Sequence, residues 1–88
     1  MKMKYVIMDN IGPSKDCESF FIFSEIGNHK KVAESLGGVE HVISAGFVSF
    51  RQEDNGIEAS CYGISTSLGL SARKEEDSRL ITSQMRDY

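Results

Sequence analysis

Two periods of apolar residues run through this chain, and the switches between them divide it into elements. From Val42 to Ile64 the pattern is that of a single antiparallel hairpin. Val42 to Gln52 forms the outgoing strand and Ile57 to Ile64 the return strand, in which Ile57, Ala59, Cys61 and Gly63 alternate with Glu58, Ser60, Tyr62 and Ile64. Asp54-Asn55-Gly56 lies between them, and Asn-Gly tolerates positive φ at both central turn positions. Gly46, inside the long strand, predicts a bulge or the close approach of another backbone.

Upstream, Lys4 to Met8 is a short apolar run read as a strand. Asp9 to Asp16 is dense in turn formers and predicts an exposed loop. Ser19 to Phe23 follows, uninterrupted and apolar, with Phe20, Phe21 and Phe23; it predicts a strand covered on both faces, since such a run at a bare sheet edge invites aggregation. The period then becomes helical. Asn28 suits an N-cap, Val32, Ala33 and Leu36 make one apolar stripe, and Gly37 stands where a positive-φ residue ends a helix. Gly38 to His41 leads into the hairpin.

Beyond the hairpin, Ser65 to Ser71 is a serine- and glycine-rich connector. Ser71 is positioned to cap a last helix from Ala72 to about Arg86, with Glu75, Glu76 and Asp77 at its positive dipole end. Ile81, Met85 and Tyr88, with Leu80 beside them, form its apolar stripe. The order strand-strand-helix thus occurs twice. The simplest assembly is an α+β fold of ββαββα order: a four-stranded antiparallel sheet with two helices on one face, as a single domain over residues 1–88.

Composition narrows the function classes. At 88 residues, with 40% hydrophobic and 26% charged residues, the chain is an ordinary globular sequence. It has no Trp, so the core must come from Phe, Val, Ile, Leu and Met, and pairing with a second copy as a homodimer would add to it. A net charge of −3 with scattered lysines and arginines argues against nucleic acid as a partner. The basic start, Met1 to Tyr5, lacks the apolar run of a signal peptide, and no stretch approaches the ~20 apolar residues that span a bilayer. The expected location is the cytoplasm, with both thiols reduced.

Candidate chemistry is sparse. Cys17, Cys61, His29 and His41 have no metal-ligand spacing, so neither a metal nor another cofactor is expected. Cys61 lies on the apolar set of its strand and Cys17 between Asp16 and Glu18, both settings that disfavour a thiolate nucleophile. His29 near Glu25 has the elements of a base, but at the start of a helix it reads as a partly exposed polar residue. No residue is assigned a catalytic role.

Two binding segments remain. Ser65, Thr66, Ser67, Gly69 and Ser71 precede a helix N-terminus, where hydroxyls and backbone N–H groups can hold an anion, although no phosphate-loop motif is present and the acids that follow oppose one. Phe20, Phe21 and Phe23 with Arg73, Glu75, Glu76 and Asp77 combine apolar anchors with a charged rim, the composition of a protein interface.

Ser44-Ala45-Gly46-Phe47-Val48, Gly63-Ile64-Ser65-Thr66-Ser67-Leu68-Gly69-Leu70 and Glu76-Asp77-Ser78-Arg79-Leu80-Ile81 resemble segments of small uncharacterised proteins of enterobacterial phages, prophages and plasmids. The likeness spans about half the chain, mainly residues 44–81; Ala72 to Glu76 departs from it in lacking a proline at the helix start. It implies a mobile-element context and a bacterial cytoplasm, and brings no site residues with it. The expectation is a non-enzymatic interaction protein that binds and modulates a host or defence-system protein. The alternative is a small-ligand or anion-binding module built on Ser65–Ser71.

Overall fold

The strand nearest the start of the chain is the most deeply buried. The computed structural model describes residues 3–9, 18–24 and 26–86. In it β1 (Met3–Met8) is flanked antiparallel by β2 (Ser19–Ser24) and by β3 (Val42–Glu53), and β3 pairs on its other side with β4 (Gly56–Tyr62). The strand order is β2-β1-β3-β4, so each of the two expected strand–strand units contributes one central and one edge strand. The expected α+β class, four-stranded antiparallel sheet and element order are all present.

The helices do not share a face. Tyr5 and Ile7 pack with Val48, Ala59, Cys61 and Ile81 of α2 (Lys74–Arg86), whereas Val6 and Met8 pack with Ala45 and with Ala33 of α1 (His29–Ser35). Successive side chains of a strand point to opposite faces, and Tyr5, Val6, Ile7 and Met8 are all fully buried. One helix therefore covers each side, which corrects the expectation of two helices on one face. A run buried at four successive positions has no solvent face to offer.

The turn at the tip of the long hairpin also differs from expectation. Glu53 pairs with Gly56 across Asp54 and Asn55. Among the described residues only glycines have positive φ, so Asn55 stays in ordinary backbone space and Gly56, at φ 120°, takes the left-handed position one residue later. β4 ends at Tyr62, short of the expected Ile64. Gly63 (φ 82°) turns the chain into a small second hairpin of β5 (Ile64–Ser65) and β6 (Leu70–Ser71).

Gly46 is a site of close approach. A Cβ there would stand 2.6 Å from the Tyr62 carbonyl oxygen and 3.2 Å from the Ala72 Cβ. The irregularity in the sheet falls elsewhere, where Ile7 pairs with Ser44 but Met8 with Val42. α1 is capped as its sequence predicts: the Asn28 side-chain oxygen accepts from the amides of Lys30 (2.9 Å) and Lys31 (3.3 Å). The expected loop at residues 10–16, together with Cys17, Glu25 and Tyr88, lies outside the described residues.

Candidate functional site: the sheet edges and the start of the last helix

α2 begins at Lys74, two residues later than expected, and Ser71 does not cap it; Ser71 is exposed in β6. Asp77 does that work from inside the helix. Its Oδ2 accepts the backbone N–H of Arg73 at 3.0 Å, the Tyr5 hydroxyl at 2.5 Å and the Ser44 hydroxyl at 2.7 Å. Its Oδ1 accepts the Arg73 Nε–H at 3.0 Å, and Arg73 Nη2 lies 2.9 Å away. The carboxylate is fully buried and fully partnered, so it belongs to no exposed patch and is a correction to the expected interaction set.

Arg73 extends the network outwards. Its Nη2 donates to Glu18 at 2.8 Å and its Nη1 to Glu76 at 3.4 Å. Hydrogen bonding to Glu18, reinforced by Asp77, holds the guanidinium firmly protonated despite partial burial. Burial and the bond to Asp77 push the Tyr5 phenol far above its ordinary range, so it serves as a donor. The Arg73–Glu18 bridge draws the start of β2 to the acidic first turn of α2. Glu18, just ahead of Phe20 and Phe21, and the exposed Glu76 thus share one guanidinium, and Glu75 is exposed as well.

β2 itself is an edge strand, contrary to the expected full cover. Phe20 and Ile22 pack with the α2-side cluster and Phe21 and Phe23 with the α1-side cluster, each only half-buried. A groove of about 550 Å³ beside it is lined by Glu18, Ser19, Phe20, Phe21 and Gln84. Ser19 and Ser24 at its ends are exposed, and among the described residues no strand pairs with its outer side.

The opposite edge is closed. The hydroxyl oxygens of Ser78 and Thr82, one turn apart on α2, accept the N–H groups of Cys61 at 2.8 Å and Ala59 at 2.9 Å. They occupy the positions that carbonyls of a neighbouring strand would take. A groove of about 540 Å³ runs alongside, lined by Glu58, Ser60, Arg79 and Ser83 among others, but these two backbone donors on its strand side are already used.

The connector expected to bind an anion is folded on itself. Ser65 is buried and its Oγ lies 3.4 Å from that of Ser67, while the Gly69 N–H donates to the Ser65 carbonyl at 2.8 Å. Gly69 turns the chain with φ 67°, Leu68 packs toward the α1 side, and Thr66, Ser67 and Ser71 are exposed. The Arg73 amide ahead of α2 is held by the Asp77 carboxylate.

His29 is buried, which corrects the expectation of a partly exposed residue. Its ring stands edge-on to Phe23 and Phe47, with Nε2 2.8 Å from the Gly46 carbonyl oxygen, to which it donates in the neutral form. Burial holds it below the usual imidazole range. Cys61 is a buried free thiol, pushed up by desolvation. Among the described residues no three His, Cys, Asp or Glu side chains gather as a metal site, and no helix is long and apolar enough to cross a membrane.

Sequence reasoning missed Tyr5, Ser44, Glu18, Ser78 and Thr82. The signal for the last two was present, as hydroxyls spaced i, i+4 on the helix that follows an edge strand. No family model matches this chain, and neither a curated protein nor a solved structure is found to be similar to it.

Proposed function

We propose that the chain is a non-enzymatic interaction protein that binds and modulates a protein of a bacterial host, in the mobile-element setting its sequence resemblance implies. One observation carries this reading. An uncharged strand bearing Phe20, Phe21 and Phe23 stands at a sheet edge, and Arg73 ties its start to the exposed acids of α2. Half-buried aromatic anchors beside a charged rim are the ingredients of a protein interface.

The polar side chains of the interior support the same reading. Asp77, Tyr5 and Ser44 are engaged with one another, and His29 with a backbone carbonyl, in contacts that hold the fold together. The test is affinity capture from bacterial lysate followed by native mass spectrometry, run with the wild-type chain and with Ser19→Lys/Ser24→Lys. Both serines are exposed, so this pair charges the edge without touching the core. A host protein held at fixed stoichiometry by the wild type and lost from the variant is the expected result. Equal retention by both, or retention of nothing, overturns the reading.

A further inference from the structure

We propose that the outer edge of β2 receives an extended segment of the partner protein as a fifth strand, antiparallel to β2. That segment carries consecutive apolar residues, so that both of its faces are apolar, and ends C-terminally in lysine or arginine. The inference rests on the reading of the chain as a protein-binding protein, and specifies the element bound and its chemistry.

The two edges of the sheet differ in the property that governs strand addition. On β4, Ser78 and Thr82 take the N–H groups that an incoming strand would need. On β2 no strand pairs with the outer side among the described residues, and the six residues of the strand carry no charge, proline or glycine to deter pairing. Its side chains stand half-buried on both faces, Phe20 and Ile22 on one and Phe21 and Phe23 on the other. A fifth strand extends both layers at once, which calls for apolar residues on both of its own faces near the centre of the pairing.

Charge sets the direction and the ending. Every pairing in this sheet is antiparallel, and an antiparallel newcomer has its C-terminal end beside Ser19. There the groove lined by Glu18, Ser19, Phe20, Phe21 and Gln84 opens next to Glu76, which Arg73 holds in the same patch. With Asp77 buried, the exposed acids Glu18, Glu75 and Glu76 set three carboxylates against Arg73 and Lys74. Arg73 is already committed to Asp77, Glu18 and Glu76. The rim is therefore short of positive charge, and basic residues at the end of the segment supply it.

A second copy fits less well. A two-fold axis through Phe21 or Ile22 sets Ser24 or Ile26 of the copy across from Glu18, and neither is a cation. Self-pairing leaves the acidic rim unmatched.

Two synthetic peptides test the proposal: four consecutive valines flanked by threonines and followed by two lysines, and the same six residues followed by two glutamates. Each is titrated against the full chain, with residue-resolved amide exchange read by NMR. The lysine peptide is expected to bind roughly three- to tenfold tighter, the scale of one or two exposed ion pairs. It should slow exchange at alternate amides between Ser19 and Ser24, and its advantage should vanish in Glu75→Lys/Glu76→Lys, whose altered side chains are exposed. Equal affinities, protection that falls elsewhere, or binding of neither peptide overturns strand addition. Protection of the same amides without peptide, rising with protein concentration, overturns it in favour of a β2–β2 homodimer. Failure of the lysate capture with success of the peptide assay would instead remove the host-protein reading and leave the edge as a strand acceptor.

Discussion

Tyr5 and Asp77 are 72 positions apart in the chain, and the phenol of one donates to the carboxylate of the other at 2.5 Å inside the protein. The same oxygen accepts from Ser44, so β1, β3 and α2 meet on a single atom. Truncating one partner of a fully buried charge leaves the rest uncompensated. Asp77→Ala is expected to cost about 3–5 kcal/mol, and Tyr5→Phe and Ser44→Ala about 1–2 kcal/mol each. Urea unfolding measures all three. Because the two hydroxyls share Oδ2, the double variant should depart from the sum of the singles, and strict additivity would show that they act independently.

His29 ties stability to pH. Burial lowers its folded-state pKa below the ordinary 6.5, and the nearby Lys4 ammonium acts in the same direction. The unfolded chain thus binds a proton that the folded one refuses. The contribution is complete above pH 6.5 and is lost as pH falls from there through the lower, folded-state value. The urea midpoint should drop across that window in the wild type and flatten in His29→Gln. A midpoint equally steep in both would place the titration on another group.

Ser78 and Thr82 keep β4 closed. Ser78→Ala and Thr82→Val remove the acceptors of the Cys61 and Ala59 N–H groups, at an expected cost of about 1–3 kcal/mol each. Those two amides should exchange faster with solvent while amides facing β3 keep their protection. The double variant should also self-associate, as its edge comes to resemble an open one; sedimentation velocity reads this directly.

Gly46 tolerates no side chain. The Tyr62 carbonyl oxygen, 2.6 Å from the position of an added Cβ, belongs to backbone and cannot swing aside. Gly46→Ala is expected to destabilise by about 1–3 kcal/mol through overpacking, and the larger Gly46→Val by more. If thermal unfolding of Gly46→Ala matches the wild type, β3 and β4 have more freedom to separate than the structure implies.

What was legible in the sequence was local. Asn28 sits two and three residues from the amides it caps, Gly37 ends α1, and Asn55-Gly56 marks the hairpin, so one window of chain held each answer. Helix placement was legible too, in the unbroken run Tyr5 to Met8, but only if that run is taken as a strand buried on both sides. The Asp77 network was not. A carboxylate in the first turn of a helix is ordinary as a solvated charge, and nothing near it announces Tyr5 or Ser44. Those contacts exist only after the sheet has formed. The aromatic strand was legible as a strand, but its place at the edge depended on how the two hairpins join.

The burial of β1 on both sides has a consequence for how the protein is made. β1 leaves the ribosome well before β3, α1 and α2, the elements that cover it, and its pairing with β3 closes a loop of more than thirty residues. The β3–β4 hairpin and α2 are neighbours in sequence and can assemble by short closures. Assembly should therefore start in the second half of the chain, with β1 threading into place late. Until then Tyr5, Val6, Ile7 and Met8 remain uncovered in the nascent polypeptide, for as long as translation takes to pass through α2.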